Sequence, residues 1–125
     1  MLETLHIEDS GVPIYVQIRD QILGAVGAGI LRPGDRLPTM REVAVALKVD
    51  LNTVRRAYDA VQEAGVIVPI GTRGTFVAEH PPPAAADSLS NKVDRLAYQT
   101  IALARAGGIN PAVLAQRMTE IVKGG

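Results

Sequence analysis

The stretch Thr39-Met40-Arg41-Glu42-Val43-Ala44-Val45-Ala46-Leu47-Lys48-Val49-Asp50-Leu51-Asn52-Thr53-Val54-Arg55-Arg56-Ala57-Tyr58 decides the fold. Thr39 and Glu42 stand at the spacing of a capping box, in which the hydroxyl accepts from a first-turn N–H and the glutamate reaches back. A short helix starts there, with Met40, Val43, Ala44 and Leu47 facing inward. Lys48-Val49-Asp50 is a tight turn, and Asp50 can cap the helix that follows. That helix carries Val54, Tyr58 and Val61 on one side with Ala57 between them, and Asn52, Thr53, Arg55, Arg56 and Asp59 elsewhere; Gly65 ends it.

Outward from this pair, Pro13 suits the first turn of an earlier helix. Ile14, Ile18, Ile22 and Val26 recur there every four residues beside Tyr15 and Leu23, and Gly29 is a natural end. Leu31 to Pro38 reads as turn material around Pro33-Gly34. Downstream, Val66-Ile67-Val68-Pro69-Ile70 and Thr75-Phe76-Val77 flank Gly71-Thr72-Arg73-Gly74, the pattern of a β-hairpin. The order predicts a mainly α fold with a small β-hairpin: a winged helix-turn-helix over residues 1–79.

His80-Pro81-Pro82-Pro83-Ala84-Ala85-Ala86 opens a semi-stiff linker over 80–87, because consecutive prolines lack N–H donors and hold the chain extended. Residues 88–125 form a two-helix tail. Leu89, Val93, Leu96, Thr100 and Leu103 step by three and four, Gly107-Gly108 stops the first helix, and Asn110-Pro111 starts a second through Leu114, Met118 and Ile121. A piece this short cannot bury a core alone. It packs on the first part or on a second copy; Leu89, Val93, Leu96 and Leu103 read as a homodimerisation seam, with packing inside the chain as the alternative.

The composition narrows the function. Hydrophobic residues make up 47% and charged residues 21% of 125, and 13 basic residues balance 13 acidic ones. Any case for a nucleic-acid partner is therefore local. The absence of cysteine excludes disulfide scaffolds, thiolate metal sites and cysteine nucleophiles, and fits a reducing, cytoplasmic setting. Only 3% of residues are aromatic, too few for a platform that stacks single-stranded bases. No apolar run is long enough to span a membrane, and Met1-Leu2-Glu3-Thr4 does not open a secretory signal. His6 and His80 lack partners at metal-ligand spacing, and neither a cofactor loop nor a nucleophile–base pair is evident, so no cofactor, metal or catalysis is expected.

The helix pair suggests its own chemistry. The second helix of such a pair enters the major groove, ~12 Å wide, where its first residues meet base edges. Asn52, Thr53, Arg55 and Arg56 occupy that first turn and a half. Asn and Arg offer bidentate contacts to adenine and guanine. Arg41, in the preceding helix, is placed for a backbone phosphate. The wing tip offers Arg73 and the N–H groups of Gly71 and Gly74. From Arg32 to Phe76 seven Lys or Arg face five acids, a small local excess. The bland alternatives are a solvated face for Arg55 and Arg56, the latter paired with Asp59, an acidic partner for Arg41, first-turn capping for Asn52 and Thr53, and a plain hairpin turn at the tip.

Five blocks in order resemble the GntR family of bacterial transcriptional regulators over roughly residues 10–78. They are Pro13-Ile14-Tyr15-x-Gln17-Ile18; Gly29-x-Leu31-x-Pro33-Gly34-Asp35-x-Leu37-Pro38-Thr39-x-Arg41-Glu42; Asn52-Thr53-Val54-x-Arg56-Ala57-Tyr58; Glu63-x-Gly65-x-Ile67; and Gly71-x-x-Gly74-Thr75-Phe76-Val77. The short tail resembles the YtrA subfamily, whose members lack a large effector-binding domain. The resemblance implies a homodimeric repressor on a pseudo-palindromic double-stranded DNA operator, with Arg41, Asn52, Thr53, Arg55 and Gly74 at the DNA. Leu51 stands where many members carry a polar or basic contact residue, which suggests a thymine-methyl contact instead. Lys48 stands where glycine is common. A small-molecule effector could bind between tail and winged domain or at the dimer seam; equally, control could come from protein concentration alone. The rival classes are a winged-helix protein-interaction module, which zero net charge favours, and a small enzyme.

Overall fold

The computed structural model describes residues 1–83 and 88–124; of the expected linker, 84–87 lie outside the described residues. Five helices and one hairpin follow in order: α1 (Ile14–Gly27), α2 (Met40–Leu47), α3 (Leu51–Glu63), β1 (Ile67–Pro69), β2 (Thr75–Val77), α4 (Leu89–Ala106) and α5 (Pro111–Val122). Tight 3-10 turns lie at Leu2–Thr4 and Gly71–Arg73.

The helix starts expected from local chemistry are present. The Glu42 N–H donates to the Thr39 hydroxyl at 3.1 Å, and the Thr39 N–H donates to the Glu42 carboxylate at 3.2 Å. Asp50 accepts from the Asn52 N–H at 2.7 Å.

Four helix ends share one device, in which a left-handed residue turns the chain so that two N–H groups meet the last carbonyls; at the end of α4 these are the N–H groups of Gly108 and Ile109, on Arg105 and Ala104. After α1, the N–H groups of Gly29 and Ile30 donate to Val26 and Ala25; after α3, those of Gly65 and Val66 donate to Gln62 and Val61. After α2 the same bonds run from Lys48 to Val45 and from Val49 to Ala44. Lys48 therefore sits at φ 56, ψ 47, the one non-glycine residue with positive φ among those described.

The main core joins Ile18, Ile22 and Leu23 of α1 to Val43 of α2 and to Val54, Ala57, Tyr58 and Val61 of α3. Leu31, Leu37, Val66, Ile67 and Val77 close it on the wing side. The expected α1 stripe needs correction. Ile14 is 38% exposed, whereas Val16 is buried yet stands apart from the main core. The helix has two partners, and a single four-residue stripe cannot describe both.

The wing also differs from expectation. β1 and β2 pair antiparallel with Ile67 opposite Val77, Val68 opposite Phe76 and Pro69 opposite Thr75. On the other edge of β2, Leu37 donates to the Thr75 carbonyl at 2.8 Å and Val77 donates to Asp35 at 2.8 Å. Arg36 bridges to Phe76. The segment read as turn material thus supplies a third-strand stub, because the edge of β2 needs partners for its backbone groups.

The N-terminal arm is tied down by two glutamines one helical turn apart on α1. Gln21 accepts from the His6 N–H at 3.1 Å and donates to the His6 carbonyl at 2.7 Å. Gln17 accepts from the Glu8 N–H at 2.8 Å and donates to the Glu8 carbonyl at 2.9 Å. Each carboxamide thus acts as a strand neighbour would toward alternate residues of the arm, while Leu5 enters the core.

The tail docks one face of α4 on α1 and the arm. Arg95 reaches Asp20 at 2.9 Å, and the other Asp20 oxygen takes Arg19 at 2.9 Å. Gly11, at φ +80, lies so close to Ala102 that a Cβ there would overlap the alanine methyl. Val12, Val16 and Ala104 are buried outside the main core.

Candidate nucleic-acid interface

The rotation of α3 follows from its buried side. Val54, Ala57, Tyr58 and Val61 are at most 1% exposed, which leaves Asn52 and Arg55 exposed to solvent. Arg55 donates to the Asn52 side-chain oxygen at 3.3 Å, so the two polar groups form one unit on the outer face. Leu51 and Thr53 are half-buried beside them.

The angle between α2 and α3 is held by Tyr58. Its hydroxyl donates to the Pro38 carbonyl at 2.6 Å, just before the Thr39 cap. Burial first, and the Glu42 carboxylate second, push the phenol well above its ordinary value of 10, so it remains a neutral donor. Arg41 is exposed in the first turn of α2. It lines one open groove with Ala44, Val45, Val49 and Leu51.

Arg56 goes elsewhere. Its guanidinium stacks 3.8 Å from the centre of the Tyr15 ring on α1, an attraction between a cation and the negative face of the ring. No Arg56–Asp59 ion pair occurs among the described residues. Aromatic and cation were both visible in the sequence, but their meeting depends on how α1 crosses α3.

At the wing tip Arg73 is exposed. Gly74 adopts φ +119, and a Cβ there would lie 2.8 Å from Arg36 Nε. The positive φ by itself favours glycine here, and the exposed Arg36 side chain lies against its bare Cα. Arg36, absent from the expected site, stands as a second exposed cation at the wing. Its signal was hidden in a segment read only as a turn.

In the tail the expected seam residues Leu89, Val93, Leu96 and Leu103 are 57–78% exposed. The face that docks on the chain itself carries Arg95 and Ala102 instead. Between α4 and α5 an apolar groove of about 560 Å³ is lined by Val93, Leu96, Ile101, Leu114 and Met118. Among the described residues, no cluster of His, Asp or Glu could hold a metal ion, and no helix is long and apolar enough to cross a membrane.

A capped helix pair, an outward polar face on the second helix and a basic hairpin beside it define a winged helix-turn-helix protein. Comparison with known proteins agrees. The family described as bacterial regulatory proteins, gntR family, matches residues 14–77. The HTH-type transcriptional regulator Rv1152 of Mycobacterium tuberculosis is 35% identical over 112 residues, 90% of this chain and 88% of that protein. The HTH-type transcriptional repressor YtrA of Bacillus subtilis is 33% identical over 119 residues, 93% and 92% of the two chains.

Solved structures give the same answer. A GntR family transcriptional regulator from Listeria monocytogenes superposes with a TM-score of 0.56 at 28% identity, covering 91% of this chain and 98% of that one. YtrA from Sulfolobus acidocaldarius, a GntR-family transcription factor, gives 0.54 at 35% identity over 75% and 92%. The chain belongs to the GntR family and is a YtrA-like transcriptional regulator with a DNA-binding domain.

Proposed function

We propose that this regulator is a homodimeric repressor that reads a pseudo-palindromic operator in the cytoplasm. In this reading residues 1–79 bind DNA, 80–87 link, and 88–125 join two copies. Asn52, Thr53 and Arg55 face base edges, Leu51 heads the same helix, Arg41 takes a phosphate, and Arg73 with Gly74 brings the wing to the adjoining backbone. Arg56 acts from behind, bracing α3 on Tyr15. The observation that carries the reading is the outward Asn52–Arg55 pair on a helix whose opposite side is wholly buried.

Dimerisation rests on the exposed seam of α4. Leu89, Val93, Leu96 and Leu103 stay uncovered although the neighbouring face of the same helix is docked, and a second copy would cover them. The test is selection of bound duplexes from a random pool, followed by titration in salt. Symmetric half-sites and an affinity that falls steeply with salt support the proposal. An interaction module without DNA contact would select no duplex, and an apolar interface hardly responds to salt.

A further inference from the structure

Resting on that DNA-binding reading, the geometry points to a thymine reader at the head of α3. The apolar groove of Leu51, Val45, Val49 and Ala44 receives the 5-methyl group of one thymine in each half-site.

Leu51 is the first residue of α3, the end from which a helix laid in the major groove meets base edges. It is apolar, whereas Asn52 and Thr53 after it are polar. Three further apolar side chains join it from outside α3: Ala44 and Val45 from α2, and Val49 from the turn. The open space they share is about 340 Å³. Val45 is left 78% exposed there, on the opposite side of α2 from the buried Val43.

The major-groove edges of the bases differ in what they offer such a wall. Every base presents hydrogen-bonding atoms there, thymine its O4 included, and Leu51 can satisfy none of them. Thymine alone presents a methyl group. Arg41 lines the same groove and supplies a cation for phosphate, so cation and apolar wall together match a thymidine nucleotide.

Replacing each thymine of the selected duplex by deoxyuridine, which removes the methyl and leaves pairing intact, tests this. One thymine per half-site is expected to weaken binding about fourfold when replaced, the transfer value of one buried methyl-sized group. Leu51→Ala should bind the thymine and deoxyuridine duplexes alike. Leu51→Arg, at a half-exposed first-turn position, should shift a fresh selection from thymine toward guanine at that base. The inference is overturned if every deoxyuridine is silent, or if Leu51→Ala keeps the discrimination. Failure to select any duplex would instead overturn the DNA-binding reading beneath it.

Discussion

The Arg55 guanidinium donates to the Asn52 side-chain oxygen, and the two residues stand three apart on the exposed face of α3. A cation oriented by its neighbour loses less freedom on contacting a base, and Asn52 keeps its N–H₂ group for donation. Arg55→Ala should weaken specific binding by about 1–3 kcal/mol. Combined with Asn52→Ala, the loss should fall short of the sum of the single losses, because each change already disturbs the pair. Fluorescence anisotropy on the selected operator measures all three variants. Unchanged affinity for Arg55→Ala would remove it from base reading.

Tyr58→Phe should destabilise the fold by about 1–2 kcal/mol by leaving the Pro38 carbonyl without its donor. The raised phenol makes a pH prediction as well. The unfolded tyrosine ionises near 10 and the folded one only above that. The contribution of Tyr58 is therefore complete below pH 10 and declines as pH rises beyond it. Urea unfolding between pH 8 and 11 should show a steeper fall for the parent than for Tyr58→Phe; parallel curves would contradict it.

Lys48 occupies left-handed backbone that glycine reaches without a Cβ penalty. Lys48→Gly should raise stability by about 1 kcal/mol, less whatever the freer unfolded chain takes back. A rise in Tm with unchanged operator affinity is the expected pair of results. A fall in Tm would mean that the lysine side chain holds the turn.

Gly11→Ala strikes the tail contact, since the new methyl would meet Ala102 and the residue has φ +80. It should cost about 2–4 kcal/mol and loosen α4 from α1. Hydrogen exchange should quicken around residues 11–16 and 95–104 while α2 and α3 remain protected. Uniform loss of protection would show one cooperative unit instead of a separable tail contact.

Leu96→Glu places a charge on the uncovered face of α4, away from the Asp20–Arg95 contact. If the proposed dimer joins through this seam, its dissociation constant should rise by ~100-fold, about 3 kcal/mol, while the monomer stays folded; a parent that sediments as a monomer would overturn the dimer itself. Sedimentation velocity separates this from a dimer joined elsewhere, which would persist.

Most of the winged fold was legible in the residues. Thr39, Glu42 and Asp50 act on N–H groups two or three positions away, and the helix ends at Gly29 and Gly65 use carbonyls within five. The buried side of α3 follows from a 3.6-residue period alone. The candidate site was legible to the same depth: which side chains leave the outer face of α3 was readable, but not which of them are engaged. Arg56 reads as a DNA-facing cation, with Asp59 as the alternative partner, and in the fold its guanidinium also stacks on Tyr15, some forty positions earlier.

By itself, then, the sequence determined where the helices begin and stop, which faces of α2 and α3 turn inward and that a hairpin follows, because these depend on atoms a turn apart. Only the tertiary structure decided that Asp35 to Leu37 extends the wing, that Arg36 lies against Gly74, and that α4 divides into a docked face and a bare one. Those outcomes depend on groups distant along the chain meeting in space, where a backbone edge or a half-buried carboxylate must find a partner and no local spacing names it.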